Sequence, residues 1–264
     1  MRLVSALAPE ATPLIEHYRL EKVDSNPMFP LYRNDTIYLV VSGIGKTLAA
    51  AATAYLHTKS GELPNQPFLN IGIAGHQRAI TGVPRVASRI TDQSTGQTWY
   101  PSQINRDSMD RSTLITVDTV ERIYAEDAAY DMEAAGFYPI AWRASTAELV
   151  QSLKVISDHP GEPVAGLDLQ RIEGLIGDCI DEIDSLVKAL QDLADIVAST
   201  TLESDSLEPF IERWAVLEKG ESPLTSVPLD CPTARHTIEA LENALLAKPL
   251  DLHAPVGPPR RKLS

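Results

Sequence analysis

Short, continuous apolar runs alternate along this chain with longer stretches in which apolar residues recur at helical spacing. That alternation predicts strands crossing over through helices, an α/β architecture. Residues 2–7 are apolar and predict a buried strand. A turn at Ala8-Pro9 follows, then a helix with Glu10 in its first turn and Leu14, Ile15 and Tyr18 on its apolar side. Tyr32 and residues 36–41 give further strands, and Ser42-Gly43-Ile44-Gly45-Lys46-Thr47 opens an alanine-rich helix over Leu48–Leu56. Residues 68–76 predict a strand running into a small-residue turn, and 83–90 another. Residues 91–96 form a polar loop, and 114–118 a buried strand ending in Asp118. Residues 129–138 read as the start of a buried helix with Asp131 and Glu133 at its head. The last strand, 149–156, ends in Ser157-Asp158-His159-Pro160-Gly161. Residues 167–197 carry one long amphipathic stripe, predicting a helix packed on the sheet or on a partner.

After Ser199 the character changes. A short helix over 207–217, a proline-containing stretch over 220–232, a helix near 233–247 and a proline-rich end follow. The expected organisation is a domain over 1–198 and a C-terminal helical and proline-rich extension over 199–264.

Composition narrows the function classes. The net charge of −13 disfavours nucleic acid and anionic membrane surfaces as partners. The basic cluster Arg260-Arg261-Lys262 lies at the chain end and reads as a terminus, not a binding patch. Two distant cysteines, Cys179 and Cys231, give neither a disulfide framework nor a zinc site and suit a reducing cytosol. No apolar run has transmembrane length, and the first residues read as a strand, not a secretory leader. A cytoplasmic protein is expected.

Candidate chemistry gathers at strand ends, where open α/β sheets hold their ligands. Glu10 and Asp158 each follow a predicted strand. A carboxylate at the head of a helix, as at 131 and 133, either caps its own backbone or accepts hydrogen bonds from something bound there. The Gly45-Lys46-Thr47 ending hints at a phosphate loop, but that motif needs a glycine at position 40, which is Val40. What remains is a tight turn whose backbone N–H groups can hold an anion, a hydroxyl or a water. His76, alone after a glycine turn, reads as structural in preference to catalytic.

Five of these stretches, in order, resemble the nucleoside phosphorylase/nucleosidase superfamily, and most closely methylthioadenosine/S-adenosylhomocysteine nucleosidase and futalosine hydrolase. They are Ser5-Ala6-Leu7-Ala8-Pro9-Glu10, Ser42-Gly43-Ile44-Gly45-Lys46, Gly72-Ile73-Ala74-Gly75, Met132-Glu133-Ala134 and Ser157-Asp158, and the match covers about residues 1–197. The resemblance implies a three-layer α/β/α fold around a central mixed, twisted sheet, with no cofactor and no metal. It implies Asp158 as the general acid to the purine and Glu10 as the residue that positions and deprotonates water. Glu133 would accept the ribose hydroxyls and Met132 would pack on the sugar. Backbone at Ile73 and Ala74 would line ribose and base, Ser42 and Gly45 would stand near the nucleophile, and Leu7, Ile44, Gly75, Val120 and Ser157 complete the implied lining. The partner implied is a small-molecule nucleoside, and a homodimer is expected from the family and from the 167–197 stripe.

A phosphate nucleophile needs cations around it. The first loop instead brings Glu10, so hydrolysis is preferred over phosphorolysis; Arg78 and Arg89 keep the second reading in view. The stretch between Asp118 and Met132 is short, and Val117, Val120 and Ile123 stand where the family places an aromatic that stacks on the base. Tyr124 is the nearest aromatic, and Trp99 is expected in core or interface. A third reading is a catalytically weak nucleoside-binding protein. Glu10, Glu133 and Asp158 together speak against it, since a binder has little use for an acid and a base at once.

Overall fold

The structure, a computed structural model, describes residues 1–24, 28–103, 109–160 and 168–200. The described residues form ten strands and five α-helices. In order these are β1 (Arg2–Ser5), α1 (Ala8–His17), β2 (Glu21–Asp24), β3 (Leu31–Arg33), β4 (Tyr38–Val41), α2 (Lys46–Lys59), β5 (Phe68–His76) and β6 (Pro84–Asp92). Then come β7 (Thr98–Trp99), β8 (Arg111–Thr116), β9 (Ala129–Asp131), α3 (Ala134–Ala144), β10 (Val150–Asp158), α4 (Leu169–Asp178) and α5 (Ile180–Thr200).

All ten strands belong to one mixed sheet. β2, β3, β4, β1 and β5 lie side by side, with β4, β1, β5 and β10 parallel. Beyond β5 the sheet closes on itself: β5 pairs with both β10 and β9, and these are joined through β6 and β8. The parallel strands are buried along nearly all their length because helices cover both faces. On one face, α2 and α3 bury Ala49, Ala52, Leu56, Phe137 and Ala141 against Val4, Val40, Phe68 and Ile156. On the other, α1, α4 and α5 bury Leu14, Ile176, Ile183, Leu186 and Leu190 against Leu3, Leu39, Leu69, Ile71 and Leu153. This is the expected three-layer α/β/α arrangement.

Three expectations change in detail. Residues 129–131 are a strand, because pairing with Gly75-His76 on one side and Leu114–Thr116 on the other outweighs local helical character; the helix begins only at Ala134. The stripe over 167–197 is two helices broken at Cys179, whose N–H turns back to the Ile176 and Gly177 carbonyls while its thiol donates to the Gly82 carbonyl at 3.2 Å. Ile176, Ile183, Leu186, Val187 and Leu190 of the stripe face the chain's own sheet, while Leu169 and Ile196 near its two ends are exposed. The helices expected after Ser199 lie, from 201 on, outside the described residues. Trp99 is in the core, as expected.

Candidate active site

Glu10 is fixed before any ligand arrives. As the third residue of α1 it reaches back to the helix entry, where Oε2 accepts the Ala6 and Leu7 N–H groups, both at 2.9 Å. Its Oε1 accepts the Ile73 N–H at 2.9 Å, tying the end of β1 to the end of β5. The carboxylate approaches so closely because residue 72 is glycine; a Cβ there would stand 2.7 Å from Oε1. Burial raises the Glu10 pKa, against the pull of the Lys154 charge and the three N–H donors.

The two acids at 131 and 133 divide the roles left open between them. Asp131 caps α3: Oδ2 accepts the Ala134 N–H at 2.9 Å, and Oδ1 accepts the Thr116 hydroxyl at 2.7 Å, which itself accepts the Ala135 N–H. Glu133 instead turns to the glycine loop, where Oε1 accepts the Gly45 N–H at 3.0 Å. Gly45 presents that N–H from a backbone at φ +105°, a conformation only glycine adopts readily. Burial pushes the Glu133 pKa up to about 7, with Lys154 opposing and the charges of Asp131 and Glu10 adding.

Lys154, on β10, is the cation that the sequence reading missed. It is 2% exposed, and its Nζ lies 3.0 Å from Asp131 Oδ2 and 3.8 Å from Glu133 Oε2. Burial works against its charge, but the fields of Asp131, Glu133 and Glu10 outweigh it and the ammonium pKa is raised. A signal was present: a lysine between Leu153 and Val155 interrupts a run that otherwise reads as a fully buried strand, and a buried lysine needs acidic partners.

Asp158 ends β10 beside Gly75 of β5. Oδ1 accepts the Ser157 hydroxyl at 2.6 Å, and Oδ2 accepts the Tyr124 hydroxyl. The Tyr124 ring lies directly over Gly75, where any Cβ would collide with it, and packs edge-on against Tyr130 at 5.4 Å between centroids. Tyr124 is 4% exposed, whereas Val120 is 66% exposed on the preceding turn. Tyr124, not Val120, touches the acid.

The remaining predicted residues fall as follows. Ser42 is buried at the end of β4, its N–H bonded to the Ser5 carbonyl and its hydroxyl to the Gly43 carbonyl. Ile44, Gly45 and Val117 line a cavity of about 200 Å³ at the start of α2, while Leu7 and Ile73 are the backbone donors to Glu10. Ala74 is in the core on β5, and Met132 packs beside Tyr124 and Tyr130. Lys46, which gave the loop its phosphate-binding look, is tied off by Asp92 and Asp118, both at 2.8 Å. His76 is structural: Nδ1 accepts the Arg78 and Ala79 N–H groups, which leaves the proton on Nε2 facing Ser112. Arg78 is largely exposed and faces Asp127. Among the described residues, no group of three His, Cys, Asp or Glu side chains is arranged for a metal, and no helix is long and apolar enough to cross a membrane.

Three carboxylates, one buried ammonium and two glycine turns thus gather around β5, through Glu10 at Ile73, Asp158 beside Gly75, and Lys154 of β10 with Asp131 and Glu133. No protein-family model and no curated protein matches the sequence. Solved structures do match its fold. A 5′-methylthioadenosine/S-adenosylhomocysteine nucleosidase from Helicobacter pylori is 17% identical, covering 71% of this chain and 97% of its own, with a TM-score of 0.57. The 5′-methylthioadenosine nucleosidase of Arabidopsis thaliana is 17% identical over 72% and 94%, with a TM-score of 0.61. A futalosine hydrolase mutant of Helicobacter pylori is 15% identical over 71% and 97%, with a TM-score of 0.58. The fold is therefore the nucleoside phosphorylase/nucleosidase fold implied by the strand-end motifs.

Proposed function

We propose that this chain hydrolyses the N-glycosidic bond of a purine nucleoside carrying a modified 5′ group, releasing the free base. The observation that supports the reading is that Glu10, Glu133 and Asp158 stand around the same strand ends, each held by different partners. Such a reaction needs an acid at the leaving base, a base at the water and an acceptor for the sugar hydroxyls. In this reading, the Asp158 carboxylic acid gives its proton to the purine as the bond to the sugar carbon breaks. The sugar takes up oxocarbenium character, and water adds to it while losing a proton to Glu10. Solvent then restores both carboxyls. Glu133, as carboxylate, accepts the ribose hydroxyls.

Charge favours water over phosphate as the nucleophile. Asp131, Glu133 and Glu10 surround a single ammonium, already paired with two of them. A phosphate dianion brought there would meet uncompensated negative charge. We further read residues 199–264 as an appendage to the 1–198 domain and the working unit as a cytoplasmic homodimer; light scattering of the purified chain tests the latter.

The deciding experiment is chromatography of base release from adenosine 5′-derivatives and inosine, with and without phosphate. Free base with free ribose, independent of phosphate, is expected. Release only with phosphate, as a ribose 1-phosphate, would make the protein a phosphorylase. Tight binding of a nucleoside without base release would make it a binding protein.

A further inference from the structure

The general acid of the proposed reaction has no room for a base. Asp158 Oδ1 is taken by Ser157 and Oδ2 by Tyr124, and the Tyr124 ring covers the Gly75 backbone. An aromatic base with a ring nitrogen on Asp158 must lie in that same volume. Tyr124 fills it with a flat ring carrying a polar atom on its edge.

Tyr124 packs in a small apolar cluster with Ile115, Val117, Ala128 and Tyr130, but it reaches that cluster from an exposed turn. It is the only buried residue between 118 and 127; its neighbours Arg122, Ile123, Ala125 and Glu126 are exposed, Ile123 by 80%. The turn before it is held locally, by Glu121 Oε1 accepting the Arg122 and Ile123 N–H groups at 2.7 and 2.8 Å. Its backbone has φ +50°, an unfavourable region for a bulky side chain. An inward aromatic on an exposed, locally closed turn, with a strained backbone, stays in place only while its contacts to Asp158, Gly75 and the small cluster of Ile115, Val117, Ala128 and Tyr130 hold it.

We propose that Tyr124 is a displaceable plug of the base site: in the free protein its hydroxyl holds Asp158 and its ring holds the place of the base, and a base enters only by swinging the 119–124 turn outward. The proposal rests on the nucleosidase reading and deepens it. It makes Tyr124 a determinant of affinity that acts before chemistry. Because closure is a property of the free protein, it weakens every base by the same factor.

The test is calorimetric binding of adenine, and of 7-deazaadenine, to the full chain as wild type, Tyr124→Phe and Tyr124→Ala. Phe keeps the packing on Tyr130 and removes only the hydroxyl bond, which to a carboxylate is worth about 10-fold to about 100-fold in the closing equilibrium. Tyr124→Phe is expected to tighten both ligands by one common factor in that range, and Tyr124→Ala to bind at least as tightly as wild type. A Tyr124→Phe protein that binds no more tightly than wild type would overturn the plug, as would a Tyr124→Ala protein that binds more weakly, the mark of a stacking platform. If wild type still releases base in the nucleoside panel, only the plug falls. If no protein binds adenine or releases base, the nucleosidase reading falls with it.

Discussion

Lys154→Met is the sharpest probe of how the site is held together. The substitution keeps the length and apolar stem of the side chain and removes only the ammonium. That ammonium is 3.0 Å from Asp131 and 3.8 Å from Glu133. At an effective dielectric of about 20 these separations correspond to roughly 5 and roughly 4 kcal/mol of gross attraction. Desolvation of the lysine offsets much of this, and breaking one side of a buried ion pair leaves a net loss of about 3–5 kcal/mol. The loss has a pH signature. Glu133 titrates at about 7 in the folded protein against 4.5 for the free side chain, so its folded form binds the extra proton. Stability from that proton is complete below pH 4.5 and is lost as pH rises through 7, a swing of roughly 3 kcal/mol. Without Lys154 the carboxylates are uncompensated and the fall extends to higher pH. Urea unfolding followed by circular dichroism at pH 5, 6, 7 and 8 is the assay. The deficit of Lys154→Met relative to wild type is expected to be largest at pH 8 and clearly smaller at pH 5. A variant as stable as wild type at pH 8, or a deficit of the same size at every pH, would refute the claim that this cation compensates the acids.

Other outcomes follow from the same geometry. Asp158→Asn is expected to reduce base release by at least about 100-fold while nucleoside binding stays measurable; an active variant would remove Asp158 from the role of acid. Since Glu133 must be anionic to accept ribose hydroxyls, kcat/KM is expected to fall about 10-fold per pH unit below about 7, and a flat profile from pH 5 to 7 would contradict that role. Gly72→Ala places a methyl 2.7 Å from the Glu10 carboxylate, so kcat is expected to drop about 100-fold, together with a stability loss of about 1–3 kcal/mol because the same carboxylate ties β1 to β5. Gly136→Ala drives a Cβ into the Lys46 carbonyl, where backbone meets backbone between α2 and α3. A loss of about 1–3 kcal/mol, read as about 2–4 °C of melting temperature per kcal/mol, is expected there.

Strand-end position made much of this site legible in the sequence. Glu10 and Asp158 follow apolar runs short enough to be strands and long enough to be buried, and sheet topology then brings their ends together whatever the residues between. Tertiary pairing was less legible. Residues 129–131 became a strand because β5 and β8 offered them backbone partners, which no local pattern encodes. The break at Cys179 was equally hidden, since the apolar stripe continues through it in register. Lys154 was visible as an anomaly, but its partners come from β9 and the head of α3, and only the fold shows which acids it meets. Tyr124 is visible in the sequence as the nearest aromatic. That its ring turns inward onto Gly75 and Asp158 depends on a backbone conformation that sequence does not predict.

The way the three carboxylates are held has an evolutionary consequence. Glu10 closes the chain entry to α1 and ties β1 to β5; Glu133 pins the glycine loop and balances Lys154. A descendant that abandoned catalysis would still need both for its architecture, and selection for folding alone would keep them. Among the described residues, the Asp158 side chain engages its neighbour Ser157 and the side chain of Tyr124, so this part of the scaffold loses little without it. On the proposed reading, the residue at position 158 is therefore the one whose loss would mark a copy that folds without working, and two glutamates in place would be no certificate of activity.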